Sequence, residues 1–226
     1  MRSRAPARNR AEAPAAAARR ARRRGARLAI AVAALGALLP GAVRAAETEP
    51  DMSWLDHAQL DRGEVQVHPD QIEHGIVRMR FAVKVTAPLT RLWDVLKDCP
   101  ASAEYTPNIV SCRSLEVLEN GRAELFTQTI KIAFFLPSFE HVFRLDYAPY
   151  THIGVHRVSG PIDVLDGNWW LVPQEGGAIL LLNELAIDIG LPIPRFLVRA
   201  TMRREVPKML QGIRDRSEKP PKAATL

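Results

Sequence analysis

The sequence predicts an α+β fold: an antiparallel sheet of about six or seven strands, two short helices after the first long strand, and a long C-terminal helix packed across the sheet. Three observations carry this. Gly75–Thr86 alternates Ile76, Arg78 and Arg80 against Val77, Met79, Phe81, Val83 and Val85, the period of a strand with one buried face. From Ile109 to Ile189 the chain is almost all alternating segments punctuated by turn residues. Pro194–Arg216 then switches to helical period. At roughly 100° per residue, Val198, Met202, Val206, Met209 and Ile213 share one narrow arc with Leu210 at its edge, while Arg204, Lys208 and Gln211 lie opposite.

In chain order, Glu47–Asp51 is a polar leader and Trp54–Leu60 a short helical turn. Glu64–Val67 alternates like a short strand, and His68-Pro69-Asp70 turns the chain. After the long strand, Pro88 opens a helix through Lys97, with Leu89, Leu92, Trp93 and Leu96 at helical spacing. Ala101–Tyr105 forms a second, stopped by Thr106-Pro107. Strands follow at Ile109–Leu118, Arg122–Ala133, Phe139–Tyr147, His152–Ser159, Ile162–Pro173 and Ala178–Ile189. Asn120-Gly121 is a strong hairpin signal. The last helix carries Pro207 in its interior, where a missing donor predicts a kink.

The formal charge of +6 over 226 residues suggests an anionic partner, but its distribution removes nucleic acid. Residues 1–46 hold eleven Arg and one Glu, which leaves 20 basic and 24 acidic residues, or −4, for residues 47–226. Residues 1–46 read as an export signal. Arg19–Arg27 is its positive region, Leu28–Leu39 is an apolar run too short to span a bilayer comfortably, and Pro40-Gly41 is a break. Small residues allow a cut after Ala45 or Ala46; the alternative is an uncleaved anchor. The expected organisation is a signal peptide at 1–46, a leader at 47–63, one domain at 64–217 and a disordered tail at 218–226. Export to the periplasm places Cys99 and Cys112 in an oxidising compartment. A disulfide between them and two buried free thiols are both open.

The stretch Ser159–Gly177, SGPIDVLDGNWWLVPQEGG, resembles the "G-P-hydrophobic…L-x-G-x-W…P" pairing of the polyketide cyclase/dehydrase and coenzyme Q-binding START-related proteins, of the helix-grip SRPBCC superfamily. The similarity takes in Val85–Asp98 (VTAPLTRLWDVLKD) and Glu184–Pro192 (ELAIDIGLP), and covers about residues 64–216. It implies a curved sheet gripping the last helix, with a deep cavity between them for an apolar ligand. It also turns Trp169 and Leu171 inward and Trp170 outward, an odd place for Trp170 unless something covers it.

Alternation assigns faces once one residue per strand is placed. Phe139, His141, Phe143 and Leu145 share one face, and Ile179, Leu181, Asn183, Leu185, Ile187 and Ile189 another. The expected cavity lining is therefore Phe139, His141, Phe143, Trp169, Leu181, Asn183 and Leu185 from the sheet, with Val198, Met202, Val206 and Met209 from the helix. His141 and Asn183 are the polar members. Each can orient a ligand, or be satisfied by a neighbouring side chain or a buried water.

No phosphate-cradling glycine loop, metal-ligand spacing or nucleophile motif is present; His152 and His156 lie four apart on a strand without a third ligand. No cofactor is expected. The leading expectation is a periplasmic binding protein that holds an apolar small molecule or lipid, such as an isoprenoid quinone, a sterol-like lipid or an acyl chain, and does no chemistry on it. A cyclase or dehydrase on an aromatic or polyketide-like substrate, with His141 as acid or base beside Tyr147 or Glu124, is the alternative. A ligand-free protein-interaction module is the third. The basic outer face of the last helix is a candidate for peripheral contact with anionic membrane.

Overall fold

The structure, a computed structural model, describes residues 49–73, 76–132, 136–190 and 193–219. The expected signal segment at 1–46 lies outside them, as does the expected tail of 218–226 from 220 onward; Glu218, assigned to that tail, is instead the last residue of the final helix.

Eight strands form one antiparallel sheet. They are β1 (Gln66–Glu73), β2 (Ile76–Val85), β3 (Ile109–Leu118), β4 (Ala123–Ile130), β5 (Phe139–Ala148), β6 (His152–Ser159), β7 (Ile162–Pro173) and β8 (Ile179–Ile189). Their order is β1-β2-β8-β7-β6-β5-β4-β3, so the six-strand meander closes back on β2 and leaves β1 and β3 as the edges. The sheet is curved. α2 (Leu89–Lys97) and α3 (Cys99–Tyr105) carry the chain from β2 to β3, on the far edge. The helix α4 (Arg195–Glu218) packs on β2, α2 and α3.

Most boundaries follow the local chemistry. Pro88 is the N-cap of α2, where its missing donor costs nothing, and Asp98 caps α3 by accepting from the Ala101 amide. In the β3–β4 hairpin Glu119, Asn120 and Gly121 all have positive φ, the backbone that Asn-Gly favours. One expectation is corrected. His68-Pro69-Asp70 does not turn the chain out of the sheet: β1 runs on to Glu73, with an irregularity in register between Pro69 and Ile72. Proline is tolerated there because β1 is an edge strand and needs no donor on its open side.

The main core lies between the concave face and the helices. Met79, Phe81, Val83, Val85, Leu92 and Leu181 are all essentially inaccessible within it. A second apolar cluster sits on the other face of the sheet. Trp170, Ala82, Leu180 and Leu182 pack there with Leu60, Trp54 and Leu55. Trp170 thus points outward as expected, and α1 (His57–Asp61) with the residues before it covers it, leaving it 9% exposed. Residues 54–60, read as part of a leader, are a cover for the sheet. Asp51 helps to fix this segment through a 2.7 Å ion pair with Arg80, and the Trp54 indole N–H donates to the Asp51 carbonyl.

The stripe of α4 is deeper than its sequence arc. Leu210, expected at the edge, is completely buried, as are Ile213, Val198, Met202 and Ser217 to within a few per cent. The helix stays continuous through Pro207, which removes the donor that would meet the Arg203 carbonyl. Beyond Pro207 the helix is tied down by side chains. Arg214 donates to the Gly63 carbonyl at 2.6 Å, Arg216 to Glu104 at 2.7 Å, and the Thr86 amide donates to Glu218 at 2.7 Å. A Cβ on Gly212 would stand 2.7 Å from Tyr105 Cβ, so only glycine permits this approach of α4 to α3. Before Pro207 the helix is held by the burial of Val198 and Met202.

Candidate functional site

Between the concave face of the sheet and the helices lies a cavity of about 260 Å³. Its walls are Phe143, Leu145, Ile153, Val155, Leu165 and Trp169 from the middle strands, Leu185 and Ile187 from β8, and Ile109 and Ile130 at the far edge. Leu96, Cys99, Ser102, Tyr105 and Thr106 close it from the α2–α3 side, and Met209 and Ile213 from α4. Three side chains bring strongly polar groups to this wall: Gln128, His141 and Asn183.

The residues that resemble a family motif are explained by this geometry. Leu165, Gly167 and Trp169 are successive inner-face positions of β7. Leu165 and Trp169 stand in the cavity wall, and a Cβ at Gly167 would lie 3.1 Å from Leu185 Cδ1. Gly160 has φ +109°, and a Cβ there would meet the His141 Cα at 2.7 Å and the Glu140 carbonyl at 2.9 Å. The turn between β6 and β7 therefore rests on the backbone of His141, and a side chain would push it away.

The predicted lining residues divide into two groups. His141, Phe143, Trp169, Asn183, Leu185 and Met209 stand on the cavity wall. Leu181, Val198 and Met202 are buried in the main core, Val206 packs against that core, and Phe139 is half-buried at the start of β5; none of these five is on the wall. Alternation places them on the right face but cannot divide a continuous apolar face into solid core and cavity. Gln128 was missed. Phe126, Gln128 and Ile130 alternate on β4, so the same face assignment would have found it. Ser102, Tyr105 and Thr106 carry no such signal, because α3 is too short to show a period.

His141 is 3% exposed, and burial pulls its pKa down from 6.5 to about 4, so the ring is neutral at neutral pH. Its Nε2 lies 3.1 Å from Gln128 Oε1, and an amide oxygen only accepts. The proton is therefore on Nε2, and Nδ1 is the bare nitrogen. Asn183, also 3% exposed, donates from Nδ2 to the Asn168 carbonyl at 3.2 Å. Tyr105 donates to the Val95 carbonyl at 3.1 Å, and burial raises its pKa to about 12.

Tyr147 and Glu124, considered as acid–base partners of His141, bond to each other at 3.3 Å and are not on the wall. Burial, then the Glu124 carboxylate, raise the Tyr147 pKa. Cys99 and Cys112 are joined as a disulfide with Cα atoms 5.5 Å apart, which ties α3 to β3 at the side of the cavity. His152 bonds Asn168 at 2.8 Å, and His156 lies 3.2 Å from Asp166 and 3.5 Å from Asp146. Among the described residues no cluster of three or more His, Cys, Asp or Glu is arranged to hold a metal ion.

Solved structures share this fold at low sequence identity. The Zhui aromatase/cyclase from Streptomyces sp. R1128 superposes with a TM-score of 0.57 at 19% identity, covering 66% of this chain and 98% of its own. The STAR-related lipid transfer protein from Xanthomonas axonopodis gives 0.60 at 18%, covering 69% and 94%. Human STARD10 gives 0.56 at 12%, covering 77% and 82%. No curated protein matches the chain by sequence. The family model described as polyketide cyclase / dehydrase and lipid transport matches residues 85–214, from the end of β2 to the last turns of α4. The chain belongs to the polyketide cyclase / dehydrase and lipid transport family.

Proposed function

We propose that the protein is an exported, periplasmic binding protein that holds an apolar small molecule or lipid in the sheet–helix cavity and does no chemistry on it. The observation that carries this reading is the cavity itself: about 260 Å³ walled mostly by aliphatic and aromatic side chains, with Gln128, His141, Asn183 and the hydroxyls of Ser102, Tyr105 and Thr106 set among them. Burying an apolar ligand there gains about 25 cal/mol per Å² of its surface, so wall area alone supplies affinity. The lipid-transfer proteins among the structural neighbours support a carrier role; the aromatase/cyclase supports the competing one. Against catalysis stands the state of His141. A base whose pKa is about 4 holds a proton weakly, and general acid–base catalysis works best near the operating pH.

Export is supported by the arginine-rich, apolar, small-residue pattern of residues 1–46 and by the Cys99–Cys112 pair. Membrane contact is supported by one patch on α4: Phe196 is 74% exposed and shares a surface with Arg199, Arg203 and Arg204. The test is native mass spectrometry of the protein purified from its native envelope, followed by solvent extraction. One apolar molecule per chain is the expected result. A ligand-free protein that takes up no quinone, sterol or acyl lipid on incubation would overturn the reading.

A further inference from the structure

The cavity's polar groups are biased in a way that names a ligand chemistry. Asn183 Nδ2 donates to the backbone carbonyl of Asn168. A carbonyl only accepts, so the amide nitrogen is fixed on that side and Oδ1 on the other. Asn183 Oδ1 is buried and has no hydrogen-bond partner among the described residues. On the other polar side chain, Gln128 Oε1 takes the Nε2 proton of His141, and Nδ1 is buried without a partner as well. Both unpaired atoms belong to side chains that are 97% buried and stand in the cavity wall on different strands, β8 and β5. Both are acceptors.

A buried acceptor without a donor is costly, and a ligand that supplies the donor recovers that cost. A ligand that brings only another acceptor (a ketone, a quinone or an ester carbonyl) pairs with neither of these atoms; the donor left to it is the amide N–H of half-buried Gln128, which is not among the buried unpaired groups. We propose that the cavity selects apolar molecules carrying hydroxyl donors, an alcohol, phenol or hydroquinone type of ligand, which Asn183 Oδ1 and His141 Nδ1 accept. The proposal rests on the binding-protein reading above and sharpens it: of the ligand types considered, a sterol-like alcohol fits the acceptors and an oxidised quinone does not. Neutral His141, held so by burial, keeps Nδ1 available as an acceptor at neutral pH.

The test compares 1-decanol, decyl methyl ether and 2-decanone by isothermal titration calorimetry with the unaltered protein at neutral pH. The three share a chain and differ in whether the oxygen donates. The alcohol is expected to bind about tenfold more tightly than either of the others. The preference is expected to shrink in Asn183→Leu and in His141→Phe, and to vanish in the double variant. Equal affinities, a tighter ketone, or a preference that survives the double variant would overturn the proposal while leaving the binding function intact. Failure of all three to bind would sink both together. The comparison of ligands needs no variant, so a substitution that fails to fold does not weaken it.

Discussion

His141 makes stability depend on pH in a window that can be set in advance. The perturbation is acidification from about pH 7 to about pH 5. In the unfolded chain the imidazole takes up a proton near 6.5; in the fold, burial holds it neutral until about 4. Between those values the unfolded state binds more protons, so stability is fully present above 6.5 and is lost as pH falls toward 4. For that gap the linkage relation gives a loss of about 2 kcal/mol by pH 5 and roughly 3 kcal/mol once the folded ring also titrates. The assay is urea unfolding across this range for the unaltered protein and for His141→Phe, which keeps an aromatic ring beside Phe143. The carboxylates contribute equally to both proteins, so the difference between the two curves isolates His141. That difference is expected to shift by about 2 kcal/mol between pH 7 and 5, with the unaltered protein losing more. A difference that stays flat would refute the burial argument.

Other expectations follow from single contacts. Reduction of Cys99–Cys112 is expected to lower stability by about 3 kcal/mol, the chain-entropy value for a loop of this size; identical urea midpoints with and without reductant would contradict it. Trp170→Ala is expected to cost about 3 kcal/mol because Trp54, Leu55 and Leu60 cover the indole, and a cost below about 0.5 kcal/mol would mean that this cover does not hold. Gly160→Ala is expected to destabilise by roughly 2 kcal/mol or more, since φ is +109° and the new Cβ meets the His141 backbone; a neutral result in thermal unfolding would exclude that contact. Phe196→Ser with Arg203→Ser is expected to weaken sedimentation with phosphatidylglycerol vesicles several-fold, at about 1 kcal/mol per basic residue near the surface. Equal sedimentation of unaltered protein with purely phosphatidylcholine vesicles would rule out the charge term.

The legible parts of the fold were those where a residue's own chemistry decides. β3, β6 and β7 begin and end where alternation meets turn residues, and Pro88 opens α2 because the first turn needs no donor there. The illegible parts depend on neighbours distant in sequence. Pro69 reads as a breaker until β1 is known to be an edge, and Trp170 reads as misplaced until residues 54–60 are seen to cover it. At the site, His141 and Asn183 stood out as polar residues on apolar faces. Leu181 did not reveal that it is solid core, because the same inner face of β8 turns from packed interior at Leu181 to cavity wall at Asn183. Gly160 stood in the stretch that resembles the family motif, but its approach to His141 is a relation between two strands.

The uneven tethering of α4 has a kinetic consequence. From Lys208 to Glu218 the helix is fixed to the α1–β1 loop, α3 and the end of β2 by Arg214, Arg216 and Glu218, and is pressed on Tyr105 at Gly212. From Arg195 to Val206 it is held by the burial of Val198 and Met202, and Pro207 leaves one fewer backbone bond between the halves. Amide exchange along this one helix is therefore expected to proceed from its N-terminal end. The half that carries exposed Phe196 is expected to open at lower free energy than the half that carries buried Leu210, as a clamp with a fixed jaw and a loose one would.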